Sequence, residues 1–200
     1  MRLTPQIMKK IEKFAIEKYK HKDFAHKPDH IYRTVKLAEF IARKEKADVN
    51  ICKVAAFLHD IAHSTNKYKP DHSEEGAKVA ERFLRKLKVD NKIIEQVSHA
   101  IYHHSQRKVL KTKTKEAKIV SDADKLEKLG PLGFFRIYTY RTLIQKVPPE
   151  EAFRKTMKRQ EETYDKLLQT KTAKNLAKDP HELMKRFFKL HYKVRYYGSS

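Results

Sequence analysis

The spacing of apolar residues restricts the fold of this chain more than any other feature. Apolar side chains recur at intervals of three and four residues almost from end to end, and alternation of Val, Ile and Thr is not sustained anywhere. The chain of 200 residues has only four glycines. This pattern predicts an all-α protein. Helix-breaking residues divide it into about eight helices, with breaks at 26–29, 46–48, 64–71, 88–91, 106–114, 130–131, 148–149 and 179–180.

The same breaks indicate one domain rather than several. None of them is long enough, or rich enough in glycine and serine, to be an interdomain linker, and no repeat of fixed period is present. A chain of 200 residues also falls in the size range that a single hydrophobic core serves. We therefore predict a single helical bundle over residues 1–200.

The cysteine content and the apolar segments restrict the cellular setting. Cys52 is the single cysteine, which excludes an intrachain disulfide and a cysteine-rich zinc cluster and fits a reducing compartment. No segment approaches the roughly 20 apolar residues of a membrane span, and the N-terminus lacks the pattern of a signal peptide. We expect a cytoplasmic protein without a membrane partner.

Histidine and aspartate residues interrupt several of the predicted apolar faces. His30 begins the apolar stripe of its helix, and His59 ends the stripe of the next helix, directly before Asp60. His104 continues the stripe of the helix that opens at Asp90. These histidines and Asp60 are therefore predicted to point into the protein interior.

Asp122 and Asp124 interrupt a further apolar helix, which spans residues 117–129. Their directions differ by about 200°, because each helical residue turns the chain by about 100°. We therefore expect only one of the two carboxylates to face the histidines.

Buried ionisable groups of this kind need partners. A buried aspartate or a buried charged histidine is destabilising by several kcal/mol unless it is paired or binds a cation. Two imidazoles and two carboxylates around a divalent cation would satisfy all four groups at once. In the alternative interpretation, each histidine donates to a backbone carbonyl and each aspartate caps a helix. This alternative explains any one of these residues more readily than it explains all four together.

The order His30, His59-Asp60, Asp124 resembles the signature of the HD superfamily of metal-dependent phosphohydrolases. The segments around these residues, 30–35 and 57–61, are similar to that family's first-histidine helix and its His-Asp pair. Further segments are similar to those of a branch of small stand-alone HD hydrolases: 104–105, 116–130, 133–136 and 164–168. The resemblance covers a core of residues 24–190.

The resemblance implies a helical fold in which His30, His59, Asp60 and Asp124 hold a divalent cation, and it implies hydrolysis of a phosphate ester or anhydride. Nucleotides are the usual substrates of the family. Manganese is the ion that the resemblance favours, whereas magnesium, iron, nickel, cobalt and zinc are alternatives that also accept imidazole and carboxylate ligands. Four protein ligands would leave a six-coordinate ion two free positions, for a phosphate oxygen and for the water that attacks phosphorus in line.

Further residues are predicted to assist catalysis. Asp60 is expected to take part in catalysis as well as in metal binding. His72 and His104 are assigned accessory catalytic roles: they would bind a second ion that Asp60 bridges, protonate the leaving group, or contact phosphate as cations.

The excess of positive charge points to an anionic substrate. Lysine and arginine number 46 against 25 aspartates and glutamates, which gives a formal net charge of +21. The basic segment 106–118 lies between His104 and Asp124 and is expected to attract a polyphosphate at the mouth of the site. The predicted substrate-binding residues are Arg33, Lys125 and Arg136.

These observations predict a nucleotide phosphohydrolase, with nucleoside triphosphate pyrophosphohydrolysis as the first choice. Hydrolysis of nucleoside monophosphates or of cyclic phosphodiesters is the alternative within the enzyme class. The substrate partner is a nucleotide or another phosphorylated small molecule.

A nucleic-acid-binding helical protein with a structural metal is the alternative from a different class. Segment 185–197 combines five basic residues with aromatic residues and has no acidic residue, which suits contact with a nucleic-acid strand. We favour packing over stacking here, because Phe187, Leu190 and Val194 share one helical face that would dock on the core.

Overall fold

The structure is a computed structural model that describes residues 1–20, 23–62, 72–105, 112 and 114–195. Within these residues it contains nine α-helices and no strand, so the all-α prediction is confirmed. None of the described helices is long and apolar enough to cross a membrane. The helices are α1 (Pro5–Tyr19), α2 (Pro28–Glu45), α3 (Val49–Leu58), α4 (His72–Lys86), α5 (Asn91–His103), α6 (Lys115–Leu126), α7 (Gly130–Thr139), α8 (Pro149–Glu162) and α9 (Lys171–Arg195).

Several predicted breaks coincide with helix ends because polar side chains cap the helices there. Asp48 precedes α3 and accepts hydrogen bonds from the backbone N–H groups of Asn50 and Ile51, at 2.9 and 3.0 Å. Asp90 caps α5 and Thr114 caps α6 in the same way. The predicted break at 64–71 lies outside the described residues. So do most of the predicted break at 106–114 and most of the basic segment 106–118.

The break predicted at 179–180 is wrong, because Pro180 lies inside α9. Proline removes a backbone donor and crowds the preceding turn, and it therefore often ends a helix. Here Pro180 packs closely against Gly130, where an added Cβ would lie 3.1 Å from the Cβ of Pro180. Tertiary packing at this contact overrides the local preference. The helix break lies instead at 168–170, where the sequence pattern predicts none.

The chain turns between α8 and α9 at a contact that is remote in sequence. Asp122 on α6 is fully buried, and its carboxylate accepts hydrogen bonds from the backbone N–H groups of Gln169 and Thr170, at 3.0 and 2.7 Å. It also accepts from the Thr170 hydroxyl at 2.7 Å. Asp122 therefore joins α6 to the start of α9. As its helical direction predicts, it does not face the histidines.

Two hydrophobic clusters hold the helices together. The larger one is formed mainly by α1 to α6, with Ala173 and Ala177 contributed by α9. The smaller one joins Phe134 of α7 to Met184 and Phe188 of α9, with α8 packed against it. Helices α7, α8 and α9 therefore form a layer beside the main bundle.

The predicted packing face of α9 is wrong. Met184 and Phe188 are buried, whereas Phe187, Leu190 and Val194 are 40%, 59% and 77% exposed. Apolar residues occupy adjacent faces of this helix, so helical spacing alone does not determine which face meets the core. The tertiary position of α7 and α8 makes that choice.

The turn between α6 and α7 brings Arg136 back over the end of α6. Gly130 has a φ angle of 72°, in the left-handed region that favours glycine. A Cβ at Gly133 would overlap the backbone of Lys128, so glycine permits this close approach. Arg136 then donates hydrogen bonds to the backbone oxygens of Ala25 and Glu127, at 3.0 and 2.8 Å.

We expect Asp122→Ala to lower the free energy of unfolding by about 1–3 kcal/mol, because it leaves buried N–H groups without an acceptor. Urea unfolding followed by circular dichroism would measure the difference. Asp165→Ala is the matched control: Asp165 is exposed, and its loss should change stability by less than about 0.5 kcal/mol. Equal stabilities of the two variants would contradict the role given to Asp122.

Candidate metal centre

Four of the predicted site residues meet in the interior of the bundle. One nitrogen or oxygen atom from each of His30, His59, Asp60 and Asp124 lies within 4.8 Å of the corresponding atoms of the other three. All four residues are buried. Helix α2 carries His30 and α6 carries Asp124, while His59 and Asp60 directly follow α3. The structure therefore brings these residues together, and their role as metal ligands stays a prediction.

Both imidazole rings of this cluster direct Nε2 towards the carboxylates. The Nδ1–H of His59 donates to the backbone oxygen of Ala56 at 2.8 Å, because a carbonyl can only accept. Its Nε2 lies 3.3 Å from Asp60 Oδ2 and 3.7 Å from Asp124 Oδ1. The Nδ1 of His30 lies 3.3 Å from Glu127 Oε2, and its Nε2 lies 3.8 Å from Asp124 Oδ1. The two Nε2 atoms thus face the same space, where a shared partner would contact both.

Two atoms of the cluster lack a hydrogen-bond partner. His59 Nε2 and Asp124 Oδ1 are buried and form no hydrogen bond with any described residue. Buried polar atoms are rarely left unpaired in folded proteins. A divalent cation would bind the imidazole nitrogen and the carboxylate oxygen together, so this set of donors fits a metal ion.

Charge and burial shift the pKa values of the cluster in opposite directions. Burial lowers the pKa of His30 to about 4, which keeps this imidazole neutral. Burial also acts to lower the pKa of His59, but the carboxylates of Asp60 and Asp124 outweigh it and raise that pKa to about 10. Burial acts to raise the pKa of Asp60, yet His59 holds it well below its usual range. The positive charge on His59 therefore occupies the place that a cation would take.

A second group of predicted residues adjoins the first through Asp60. Asp60 Oδ1 lies 3.4 Å from the Nε2 atoms of both His72 and His104, which are 3.3 Å apart. The Nδ1–H of His104 donates to the backbone oxygen of Ile101 at 2.6 Å, which turns Nε2 towards Asp60. His104 is buried, whereas the His72 side chain is 36% exposed. Their catalytic roles stay predictions.

Tyr19 positions Asp60 from the other side, and the sequence analysis missed it. Its hydroxyl accepts a hydrogen bond from the backbone N–H of Asp60 at 3.2 Å, and the residue is fully buried. Burial, followed by the charge of Asp60, raises the pKa of Tyr19 well above its usual value. The apolar face of α1 indicates that Tyr19 points inward, but no local sequence pattern connects Tyr19 with Asp60, which is distant in sequence.

Lys125, one of the predicted substrate-binding residues, lies behind the cluster. Its Nζ donates to the backbone oxygens of His104 and Ser121, at 3.2 and 3.3 Å, and to the Ser121 hydroxyl. Lys125 is 1% exposed, and burial lowers its pKa to about 8. This geometry fits a role in positioning His104 better than contact with a substrate.

Arg33 and Arg136 both contact Glu127. Arg33 Nε donates to Glu127 Oε2 at 2.9 Å, and the Arg33 side chain is 39% exposed. The same carboxylate oxygen faces His30, so Arg33 supports the orientation of that ring through Glu127. Arg136 lies beside the cluster and is partly buried. Substrate binding by either arginine stays a prediction.

A cavity of about 210 Å³ opens beside the cluster. His30 and Asp60 line it on one side, and Arg136 lines it from α7. It is also lined by three cationic residues that the sequence analysis missed: Lys128, Arg141 and Arg159. Lys128 was detectable, because it stands one helical turn after Asp124 and pairs with it. Tertiary packing alone brings in the two arginines.

Comparisons with known proteins agree with this architecture. A model of the HD domain matches residues 29–129. A predicted HD superfamily hydrolase from an uncultured Thermotogales bacterium is 26% identical, with a TM-score of 0.67 over 93% of this chain and 91% of that chain. An HD-superfamily hydrolase from Bacillus thuringiensis is 26% identical, with a TM-score of 0.70 over 96% of this chain and 98% of that chain.

Bacillus subtilis YpgQ, solved in complex with ADP, shares the fold at 23% identity, with a TM-score of 0.74 over 96% of this chain and 95% of that chain. No curated protein matches the chain in sequence. The match to the family model spans slightly more than half of the chain and includes all four residues of the buried cluster. The chain therefore belongs to the HD domain family and is a metal-dependent phosphohydrolase.

Proposed function

We propose that this enzyme hydrolyses nucleotides, and that its reaction is the removal of pyrophosphate from nucleoside triphosphates. The observation that carries the proposal is the convergence of His30, His59, Asp60 and Asp124 beside a cavity lined with cationic side chains. The ADP bound to YpgQ, a protein of the same fold, supports a nucleotide as substrate. Hydrolysis of nucleoside monophosphates or cyclic phosphodiesters is the alternative within the same site. We propose that the chain acts as one domain in the cytoplasm, which its single buried cysteine supports.

The four residues of the cluster would hold one divalent cation, with manganese favoured by family resemblance. Magnesium, iron, nickel, cobalt and zinc suit the same nitrogen and oxygen donors. When bound, the cation supplies Lewis-acid chemistry, because it makes water a stronger nucleophile at neutral pH and polarises the phosphoryl group. Glu127 and the Ala56 carbonyl orient the two imidazoles for this binding.

His72 and His104 are proposed to serve the reaction next to Asp60. The contact between His104 and Ile101 leaves the Nε2 of His104 facing Asp60 and His72. Because the His72 side chain is partly exposed, the pair connects the buried cluster with solvent. Protonation of the leaving group, contact with phosphate and binding of a second ion with Asp60 are the three roles that this position supports.

The cations beside the cluster are proposed to bind the substrate's phosphates. Lys128 pairs with Asp124, and Arg136 is held by two backbone oxygens, so both charges have fixed positions next to the cluster. Fixed cations in a partly buried cavity attract anionic ligands more strongly than mobile surface lysines do.

We expect Asp60→Asn to reduce metal-dependent turnover by at least about 100-fold, because it removes a ligand charge and the acceptor of two histidines. The assay measures phosphate and pyrophosphate release across nucleoside mono-, di- and triphosphates with added manganese. Pyrophosphate from triphosphates is the expected product. Asp165→Asn, an exposed substitution, is the control and should retain activity. A metal-replete wild-type protein that turned over none of these nucleotides would refute the proposed reaction.

Metal binding is expected to release about one proton per ion near neutral pH, because the pKa of His59 is raised to about 10 and its Nε2 must lose a proton to bind a cation. Affinity should therefore rise with pH below that pKa. Calorimetry in two buffers of different ionisation enthalpy measures the protons released.

The control for this experiment is His99→Gln, since His99 lies outside the cluster and contacts Thr112. It should leave proton release unchanged, whereas His59→Gln should abolish tight binding. A binding enthalpy that is the same in both buffers would contradict this coupling.

A nucleic-acid-binding role is the second candidate, favoured by the exposure of Phe187 and Leu190 beside Lys185 and Lys189 on α9. Exposed aromatic and basic residues suit contact with single strands. If the enzyme proposal holds, replacing both lysines by glutamine should leave turnover intact, and any affinity for polynucleotide should be weak. A strong polynucleotide affinity whose salt dependence falls by about one unit per lysine removed would favour the binding role.

A further inference from the structure

We propose that Arg141 and Arg159 form a subsite for phosphate groups other than the one that is attacked. This inference rests on the proposed function, and it specifies the substrate class as nucleotides with a polyphosphate chain. Both arginines line the cavity that His30 and Asp60 also line. The subsite therefore opens onto the same space as the buried cluster.

Neither guanidinium forms an ion pair with an acidic side chain of the described residues. Among the described residues, no hydrogen bond or ion pair involves the side chain of Arg141 or Arg159, and the Nε of Arg141 is buried without a partner. Lys128 and Arg136 differ in that their side chains have hydrogen-bond partners: Asp124 pairs with Lys128, and two backbone oxygens accept from Arg136, although the Nε of Arg136 is also buried without a partner. Arg141 and Arg159 are thus the cationic side chains of the cavity that no described residue holds by a hydrogen bond.

Burial makes this lack of partners unfavourable. Burial lowers the pKa of Arg141 and of Arg159. On Arg159, the charges of Asp124 and Glu162 act against burial, and the charge of Arg141 acts in the same direction as burial. Two like charges that are partly removed from water repel each other unless an anion lies between them. Phosphate oxygens suit this position, since a guanidinium binds them through paired N–H groups.

The backbone places Arg141 at this wall of the cavity in an unusual way. Residues Tyr140–Ile144 form a π-helical turn directly after α7, whereas Arg159 lies in the last turn of α8. Arg141 lies within this turn, and such turns are frequent at functional sites. The turn thus supports a ligand-facing position for Arg141.

Both arginines line the wall of the cavity, whereas the attacked phosphate is expected at the cluster, beside His30 and Asp60. A chain of further phosphates that begins at the cluster would therefore extend towards the two arginines. A monophosphate at the cluster would leave Arg141 without an anion, so the pair selects for polyphosphates.

The test compares Arg141→Gln and Arg159→Gln with the wild type, using the manganese-loaded protein. Calorimetry measures binding of a non-hydrolysable α,β-methylene nucleoside triphosphate and of the corresponding monophosphate. We expect each substitution to weaken triphosphate binding by about 10- to 100-fold, because a charged hydrogen bond is lost. Monophosphate binding should change by less than about twofold. Arg159→Lys should recover part of the loss, since it restores the charge.

The matched control is Arg154→Gln, because Arg154 is exposed on the same helix as Arg159. It should leave both affinities unchanged. Thermal unfolding provides a readout that separates binding from a structural role. Removing an unpaired, partly buried charge should leave the melting temperature unchanged or raise it. A clear fall in melting temperature, together with equal losses for both nucleotides, would assign the arginines a structural role and overturn the proposal.

The outcomes also separate this proposal from the proposed function. If the wild type binds the triphosphate analogue through both arginines but hydrolyses no nucleotide, the subsite stands and the proposed reaction fails. If the wild type hydrolyses triphosphates while both variants bind the analogue normally, the reaction stands and the subsite is overturned.

Discussion

The rest of the structure depends on two imidazoles and two carboxylates that share one buried region between α2, α3 and α6. Carboxylates in such a region require positive charge close by, because burial strongly disfavours unpaired ions. The protonated His59 supplies that charge unless a cation replaces it. The surrounding residues then serve to hold this arrangement in one geometry. Ala56 and Glu127 orient the imidazoles, and Tyr19 holds the backbone at Asp60.

Residues around the cluster form a second set of contacts that hold the cluster residues in place. Glu127 contacts His30 through its carboxylate and Arg136 through its backbone oxygen, while Arg33 binds the same carboxylate from a more exposed position. On the opposite side, Lys125 holds the carbonyl of His104. The rings of His30, His59 and His104 are thus each held at Nδ1 by a residue outside the buried cluster. Such supporting contacts are what keep a reactive geometry within tenths of an ångström.

Helical spacing and family resemblance together were sufficient to predict the all-α fold and the residues of the buried cluster. The 3.6-residue period places His30 and His59 inwards, and it separates Asp122 from Asp124 by direction alone. These are local properties, so the sequence carries them directly. Their physical basis is that one helical face is buried along its whole length.

What could not be predicted depends on contacts between distant segments. The packing face of α9 was predicted wrongly because Phe187 and Phe188 are adjacent apolar residues, and only the position of α7 and α8 decides which of them is buried. The sequence around Lys125 does not distinguish a side chain that faces a substrate from one that donates to a backbone carbonyl. Arg141 and Arg159 have no pattern that distinguishes them from the many cationic residues on the surface.

The bond between Asp122 and residues 169–170 has a consequence for biosynthesis. The HD domain model ends at residue 129, yet α6, which carries Asp124, is anchored through Asp122 to the start of the last helix. During synthesis on the ribosome, the four residues of the buried cluster emerge before residues 169 and 170 do. The hydrogen bonds that join α6 to the start of α9 can therefore form only after the segment beyond the matched domain has been made.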